Sequence, residues 1–313
     1  MEMKQTTNMM RKGINRLFLK VLAVLVLSPV IAFAADPPGI PDGWSDGYVN
    51  ANGIRIHYYH AVPAPQKPVI VMVHGVTDIG LSWTTLTWKL QDSYDIYMLD
   101  ARGHGLSDPF TSTDDGETLL KDIVGFVKAM NINKPILMGH SMGAASVMRV
   151  GAAYPDLAQA IIMLDPFIAS QSNQAPQRRN ASSQSINPEA MVANNNQSFN
   201  DLVAKAHRDN PMWGTVDCQY WALSKRQYHG PYTAEQSQAM RGTMNSGEAL
   251  SKITVPSLIL KADASPESRK ANEEAVNNLP KVKLVHVDGA AHNLHHDKLE
   301  RTVKEINGFL LGL

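Results

Sequence analysis

Six short, largely apolar runs, at residues 68–74, 94–100, 135–139, 160–165, 256–262 and 282–287, limit what this 313-residue chain can fold into. They are rich in Val, Ile, Leu and Met and lack a regular polar side, so neither face of such a strand is suited to water. Runs of this kind read as strands of a parallel sheet covered on both faces, and parallel neighbours require crossover segments. Helical patterns supply them. Leu120, Ile123, Val124 and Val127 fall at the i, i+3, i+4, i+7 spacing of a helix face, and 142–154, 267–278 and 297–312 are helix-compatible. Residues 48–59 hold two short stretches around Asn52-Gly53, a two-residue hairpin signal that adds two antiparallel strands at the start. The expected class is α/β: a mostly parallel eight-stranded sheet flanked by helices, with right-handed crossovers.

Two segments depart from this rhythm. Residues 167–250 carry no clear strand, many Asn, Gln and Ser, and the aromatic residues Trp213, Tyr220, Trp221 and Tyr228. An insertion of this length at one loop of a regular sheet reads as a helical cap or lid, which leaves 35–166 and 251–313 as the core. At the other departure, Lys4, Arg11, Lys12, Arg16 and Lys20 precede an apolar run at 21–34 that ends in Ala32-Phe33-Ala34. This is the layout of a signal peptide over residues 1–34, cleaved after Ala34. The other reading, a retained anchor, is opposed by Ser28, Pro29 and a length short of the roughly 20 residues needed to span a bilayer. The mature chain is therefore expected in a periplasm or secreted, with no stable membrane anchor.

Charge narrows the partners. The chain has 29 Lys+Arg and 29 Asp+Glu, and the leader takes away five basic residues and one acidic one, leaving 24 against 28, a net −4. A mildly acidic protein lacks the basic footprint of a nucleic-acid binder. The single cysteine, Cys218, can form no internal disulfide and reads as a small buried hydrophobe.

Chemistry is concentrated where the third parallel run ends. Gly139-His140-Ser141-Met142-Gly143 leads into Ala144-Ala145 at the start of a helix pattern. A serine in a tight turn between strand and helix is a nucleophile elbow, and its glycines allow close packing. His74-Gly75-Val76-Thr77-Asp78 follows the first of the runs, and Asp100-Ala101-Arg102-Gly103-His104-Gly105-Leu106-Ser107 follows the second. With these motifs the chain, over nearly all of 47–313, resembles the α/β-hydrolase superfamily. With its opening Ala51-Asn52-Gly53-Ile54-Arg55-Ile56-His57-Tyr58, it is similar within that superfamily to N-formylmaleamate deformylases and neighbouring carboxylester hydrolases.

The resemblance implies a set of roles. Ser141 is the nucleophile, and His292, in the loop after the last strand, is the general base. The N–H groups of Val76 and Met142 form the oxyanion hole. Arg102 and His104 belong to a structural loop. The usual acid position after the seventh strand falls on Ser265, which leaves it empty. Asp165, at the end of the sixth strand and expected to be held extended by Pro166, is preferred as the acid, with Asp263 as the alternative. Trp83, Trp213 and Trp221 are candidates for the substrate pocket, with core burial equally open for Trp83. His295 and His296 read as solvated or helix-capping residues; no metal and no cofactor are expected.

The expected activity is hydrolysis of a small-molecule carboxylic ester, or an activated amide or formamide, through an acyl-enzyme. A serine nucleophile argues against epoxide opening, because the ether it would form is not readily cleaved by water. Perhydrolase or carbon–carbon bond hydrolysis on the same residues remains open, as does a ligand-binding protein without turnover.

Overall fold

The computed structural model describes residues 36–168, 193, 195–230, 233–242 and 244–313. The expected leader, and the part of the insertion at 169–192, lie outside the described residues. Among the described residues no helix is long and apolar enough to cross a membrane.

Eight strands form one sheet: β1 (Ser45–Ala51), β2 (Ile54–His60), β3 (Val69–Val73), β4 (Asp95–Leu99), β5 (Ile136–His140), β6 (Ala160–Leu164), β7 (Ser257–Lys261) and β8 (Val282–His286). Their order is β1-β2-β4-β3-β5-β6-β7-β8. β1 and β2 form the hairpin, with Asn52 and Gly53 both at positive φ, as a type I′ turn requires. β2 runs antiparallel to β4 and the remaining pairs are parallel.

Both faces of β3, β4, β5, β6 and β7 are buried, whereas β8, expected to be covered on both faces, is only half-buried because it lies at the edge of the sheet. On β3, Val71 and Val73 join one apolar cluster with Leu120, Ile123, Val124 and Val127, while Ile70 and Met72 face another with Leu86, Leu90 and Ile306. The period of two thus feeds two helix layers. The helices Thr118–Ala129, Met142–Ala153, Pro266–Val276 and Leu299–Leu310 form where the sequence patterns place them. Thr84–Leu90 is a further helix that escaped the sequence reading, because Thr84-Thr85-Leu86-Thr87 is poor in helix propensity and burial of Leu86 and Leu90 outweighs it.

Between β6 and β7 lie the helices Phe199–Asp209, Thr215–Gln227, Ala234–Arg241 and Ser246–Lys252. The first two pack on each other through Phe199, Leu202 and Ala222, with Cys218 buried beside Trp213. Burial and then nearby Asp217 push the Cys218 thiol up to about 11, as suits a packed residue. The last of these helices, Ser246–Lys252, packs Ala249 and Leu250 into the main core cluster with Val147 and Val150.

Beneath the loops at the carboxyl ends of the strands lies a layer of buried histidines. His74 Nε2 accepts from Ala101 N–H (3.0 Å), and His104 Nδ1 pairs with the Arg102 carbonyl (2.9 Å). Arg102 binds Asp122 and Asp114 and donates to Asn52 O, as expected of a scaffold residue. His295 and His296 are buried, contrary to the expectation of solvated or capping residues. The turn Leu294–Asp297 carries His295 under Trp83 and His140, and His296 onto Asp217 at 2.9 Å. Burial keeps the pKa values of His74, His104 and His295 below the usual histidine range and lowers that of His140 to about 4.

These depressed values set a pH dependence. For His140, the unfolded ring takes up a proton near pH 6.5 that the folded protein refuses until about pH 4, so folding stability falls as pH drops through that window, and the lowered values of His74, His104 and His295 act in the same direction. Asp165, held at about 2, acts at lower pH: its contribution is present above its unfolded value and lost as pH falls towards 2. Urea unfolding at pH 7, 6 and 5 is expected to show stability declining as pH falls, most steeply below pH 6.5. The slope is at most about 1.4 kcal/mol per unit for a histidine kept neutral, partly offset by His57, whose burial is outweighed by Asp100 and Asp46, so that its pKa is raised. A stability that stays flat from pH 7 to 5 would contradict the buried neutral layer.

Candidate active site

Ser141 lies between β5 and the helix Met142–Ala153 at φ +51° and ψ −108°, a conformation L-residues seldom adopt. Strain of this kind costs about 1–3 kcal/mol and persists only where the surroundings impose it. Here the Ser141 N–H donates to Leu164 O on β6 (3.0 Å), the Gly143 N–H to His74 O (3.1 Å), and Ser141 O accepts from Ala145 N–H (3.0 Å). Glycine is required on both sides. A Cβ on Gly143 would fall on the Val73 carbonyl oxygen, and one on Gly139 on the carbonyl of Gly143.

Asp165 ends β6 and meets His292 across 127 residues of sequence: its Oδ2 lies 2.6 Å from His292 Nδ1. Its other oxygen accepts from Ala262 N–H (3.1 Å) and pairs with Lys261 Nζ (2.5 Å). Burial alone would raise this carboxyl; the bond from His292 and the Lys261 ammonium outweigh it and hold the group at about 2. The backbone differs from expectation, since Asp165 is at φ +45°, not extended before Pro166. The Asp165 N–H is bound to Leu260 O (2.7 Å) and its side chain to the next strand, and aspartate tolerates the left-handed region better than most residues.

The alternative acid is not brought to the histidine. Asp263 pairs with Arg269 and accepts from Gly289 N–H (2.8 Å) and Ala264 N–H (2.8 Å). The Arg269 bond, followed by these N–H groups, lowers it to about 2. Ser265, at the usual acid position, caps the helix Pro266–Val276 by accepting from Ser268 N–H.

His292 is fixed from the rear as well. With its Nδ1 on Asp165, its backbone carbonyl lies 3.0 Å from His140 Nε2, whose N–H donates to it. Burial, and then the neighbouring His292, keep the His140 ring neutral. Ser141, His292 and Asp165 line one cavity of about 370 Å³, with Val76, Met142 and Phe167 also on its wall. A second cavity, of about 120 Å³, shares Val76, Ser141 and His292 and reaches Thr77, Lys225 and Trp221. Met142 opens its helix, so its N–H has no intrahelical acceptor. Val76 sits in the Gly75–Asp78 turn, closed by Asp78 N–H on Gly75 O (3.1 Å).

Of the pocket tryptophans, Trp221 lines the second cavity. Trp83 does not line these cavities: it is 1% exposed and packs in the core against His295, because the 3₁₀ turn Gly80–Trp83 folds it inward. Trp213 is also turned away, its Nε1–H donating to Asp297 (2.7 Å) within the apolar cluster around Cys218. Sequence reasoning missed Lys261, His140 and Arg149 at the site. Lys261 was accessible in principle, since the parallel register Leu164↔Leu260 sets it beside Asp165. Arg149 was flagged only by being the sole charged residue of Met142–Ala153. Among the described residues no group of three or more His, Cys, Asp or Glu is arranged to hold a metal ion.

Known proteins share this architecture. A family model described as serine aminopeptidase, S33, matches residues 64–299. The 2-(acetamidomethylene)succinate hydrolase of Mesorhizobium japonicum is 28% identical over 251 residues, 78% of this chain and 88% of that protein. The N-formylmaleamate deformylase of Pseudomonas putida is 32% identical over 130 residues, 41% of this chain and 48% of that one. In three dimensions, the crystal structure of E-2-(acetamidomethylene)succinate hydrolase superposes with a TM-score of 0.66 at 22% identity, over 85% of this chain and 99% of that one. The N-formylmaleamic acid deformylase of Pseudomonas putida S16 superposes with a TM-score of 0.67 at 20% identity, over 84% and 100%. With an eight-stranded, mostly parallel sheet and a family match over most of its length, the chain is a hydrolase that belongs to the α/β-hydrolase family described as serine aminopeptidase, S33.

Proposed function

We propose that this hydrolase cleaves a carboxylic ester, or an activated amide or formamide, of a small molecule through an acyl-enzyme on Ser141. The observation that carries the reading is the 2.6 Å contact of His292 Nδ1 with Asp165, in a cavity that Ser141 also lines. With Nδ1–H donating to the carboxylate, Nε2 is the lone-pair nitrogen and accepts the serine proton. The Ser141 oxygen then attacks the carbonyl carbon, and the oxyanion is held by the N–H groups of Val76 and Met142. His292 returns its proton to the leaving alcohol or amine, and a water activated by the same ring releases the acid. Asp165 keeps the tautomer and stabilises the imidazolium without taking the proton.

A serine nucleophile favours carbonyl carbon over epoxides, although relatives named epoxide hydrolase also match part of the chain. The names of the two relatives described above keep amides and formamides beside esters. On p-nitrophenyl esters, Ser141→Ala is expected to abolish turnover and Asp165→Asn to lower kcat by on the order of 10⁴, with Asp263→Asn mild. Wild-type rates in Ser141→Ala would overturn the mechanism, and the reverse order of the two aspartates would overturn the choice of acid.

The same reading includes export. The basic residues up to Lys20, the apolar run 21–34 and Ala32-Phe33-Ala34 support cleavage after Ala34. Intact mass of the protein recovered from the envelope or medium of an expressing bacterium is expected to match a chain starting at Ala35. A full-length chain confined to the cytoplasm would refute it.

A further inference from the structure

The cavity that holds Ser141 has an imbalance of charge. Arg149, Arg241 and Lys261 line it against one carboxylate, Asp165, although the whole chain is formally neutral. Lys261 is committed to Asp165 and to the Pro166 carbonyl (2.7 Å). Arg149 has no carboxylate partner among the described residues, yet it is only 6% exposed. Its Nη2 donates to the Arg241 carbonyl (2.5 Å), which ends the helix Ala234–Arg241. Its Nη1 is buried against Gly242 with no hydrogen-bond partner among the described residues, and a Cβ at Gly242 would collide with the guanidinium.

A buried cation that meets only a carbonyl is unfavourable unless something else supplies the counter-charge. Pinning the cap-side helix accounts for one N–H and leaves the charge unmatched. Geometry supplies a candidate for the missing group. Arg149 lies on the helix that Ser141 precedes, eight residues on and about 12 Å along its axis, and helical side chains lean towards the N-terminus. Arg149 lines the same cavity wall as Ala145 and Met142, which stand one and two turns nearer the nucleophile on its helix.

We propose that Arg149 recognises a carboxylate carried by the substrate, so that the cavity is built for acyl donors with an anionic group a few bonds from the scissile carbonyl. This deepens the serine-hydrolase reading and rests on it for the identity of the scissile bond. The planar guanidinium suits a planar carboxylate, and Arg241 adds a second positive charge at the same wall.

The test compares two p-nitrophenyl esters of equal acyl length, the pentanoate and the mono-ester of glutarate, corrected for spontaneous hydrolysis. Wild type is expected to favour the glutarate ester by about tenfold or more in kcat/KM, expressed mainly in KM. Arg149→Gln brings the ratio to one or below, and Arg149→Lys gives an intermediate ratio, because it keeps the charge but loses the fork. A wild-type ratio of one, or a preference that survives Arg149→Gln, overturns the proposal. If the Gln variant does not fold, Arg149→Lys decides, and an unchanged ratio overturns it. Calorimetry on Ser141→Ala separates this proposal from the mechanism: glutarate binds about tenfold more tightly than glutaramide, and loss of Arg149 removes the difference. Binding of that kind in a protein that cleaves no ester would keep the carboxylate site and discard the serine reading. Equal binding of the two probes would discard the site.

Discussion

The contact between Asp165 and His292 depends on parallel order. β5, β6 and β7 are hydrogen-bonded neighbours running in one direction, so their carboxyl ends emerge together and bring Ser141, Asp165 and Lys261 to one edge. The loop after β8 then needs only to return His292 to the same edge, where it meets Asp165 at 2.6 Å. The backbone strain at Ser141 and at Asp165 falls at these strand ends, where hydrogen bonds to Leu164 and Leu260 hold it in place. Ser265 caps a helix, and the carboxylate that meets His292 comes from the end of the neighbouring strand β6.

Below that edge, the histidines do two jobs. His140 Nε2 holds the His292 carbonyl, and His74 holds the loop that begins with Ala101. Their burial keeps them neutral, so they act as fixed hydrogen-bonding groups and not as competing bases. A single exposed histidine at the cavity, His292, can then carry the proton transfer.

Much of this was legible in the sequence, for identifiable reasons. Strands buried on both faces leave short apolar runs such as 160–165, alternating with helix patterns, and Gly139 and Gly143 flag the turn because a Cβ at either would strike backbone. What escaped depends on tertiary placement. Nothing local distinguishes Trp221, on a cavity wall, from Trp213 and Trp83, which turn inwards. His295 and His296 resembled surface residues until the Leu294–Asp297 turn carried them beneath Trp83 and onto Asp217. The left-handed backbone of Asp165 is set by Leu260 and Ala262 on a strand about a hundred residues away, which outweighs the local preference imposed by Pro166.

The central claim is that Ser141 is an activated nucleophile at the junction of the two cavities. Intact mass after exposure to a fluorophosphonate, followed by peptide mapping, tests it without presuming a substrate. The account predicts a single adduct on Ser141 in the wild type and none in Ser141→Ala. A folded wild-type protein that takes up no label, or takes it up at another residue, would contradict it.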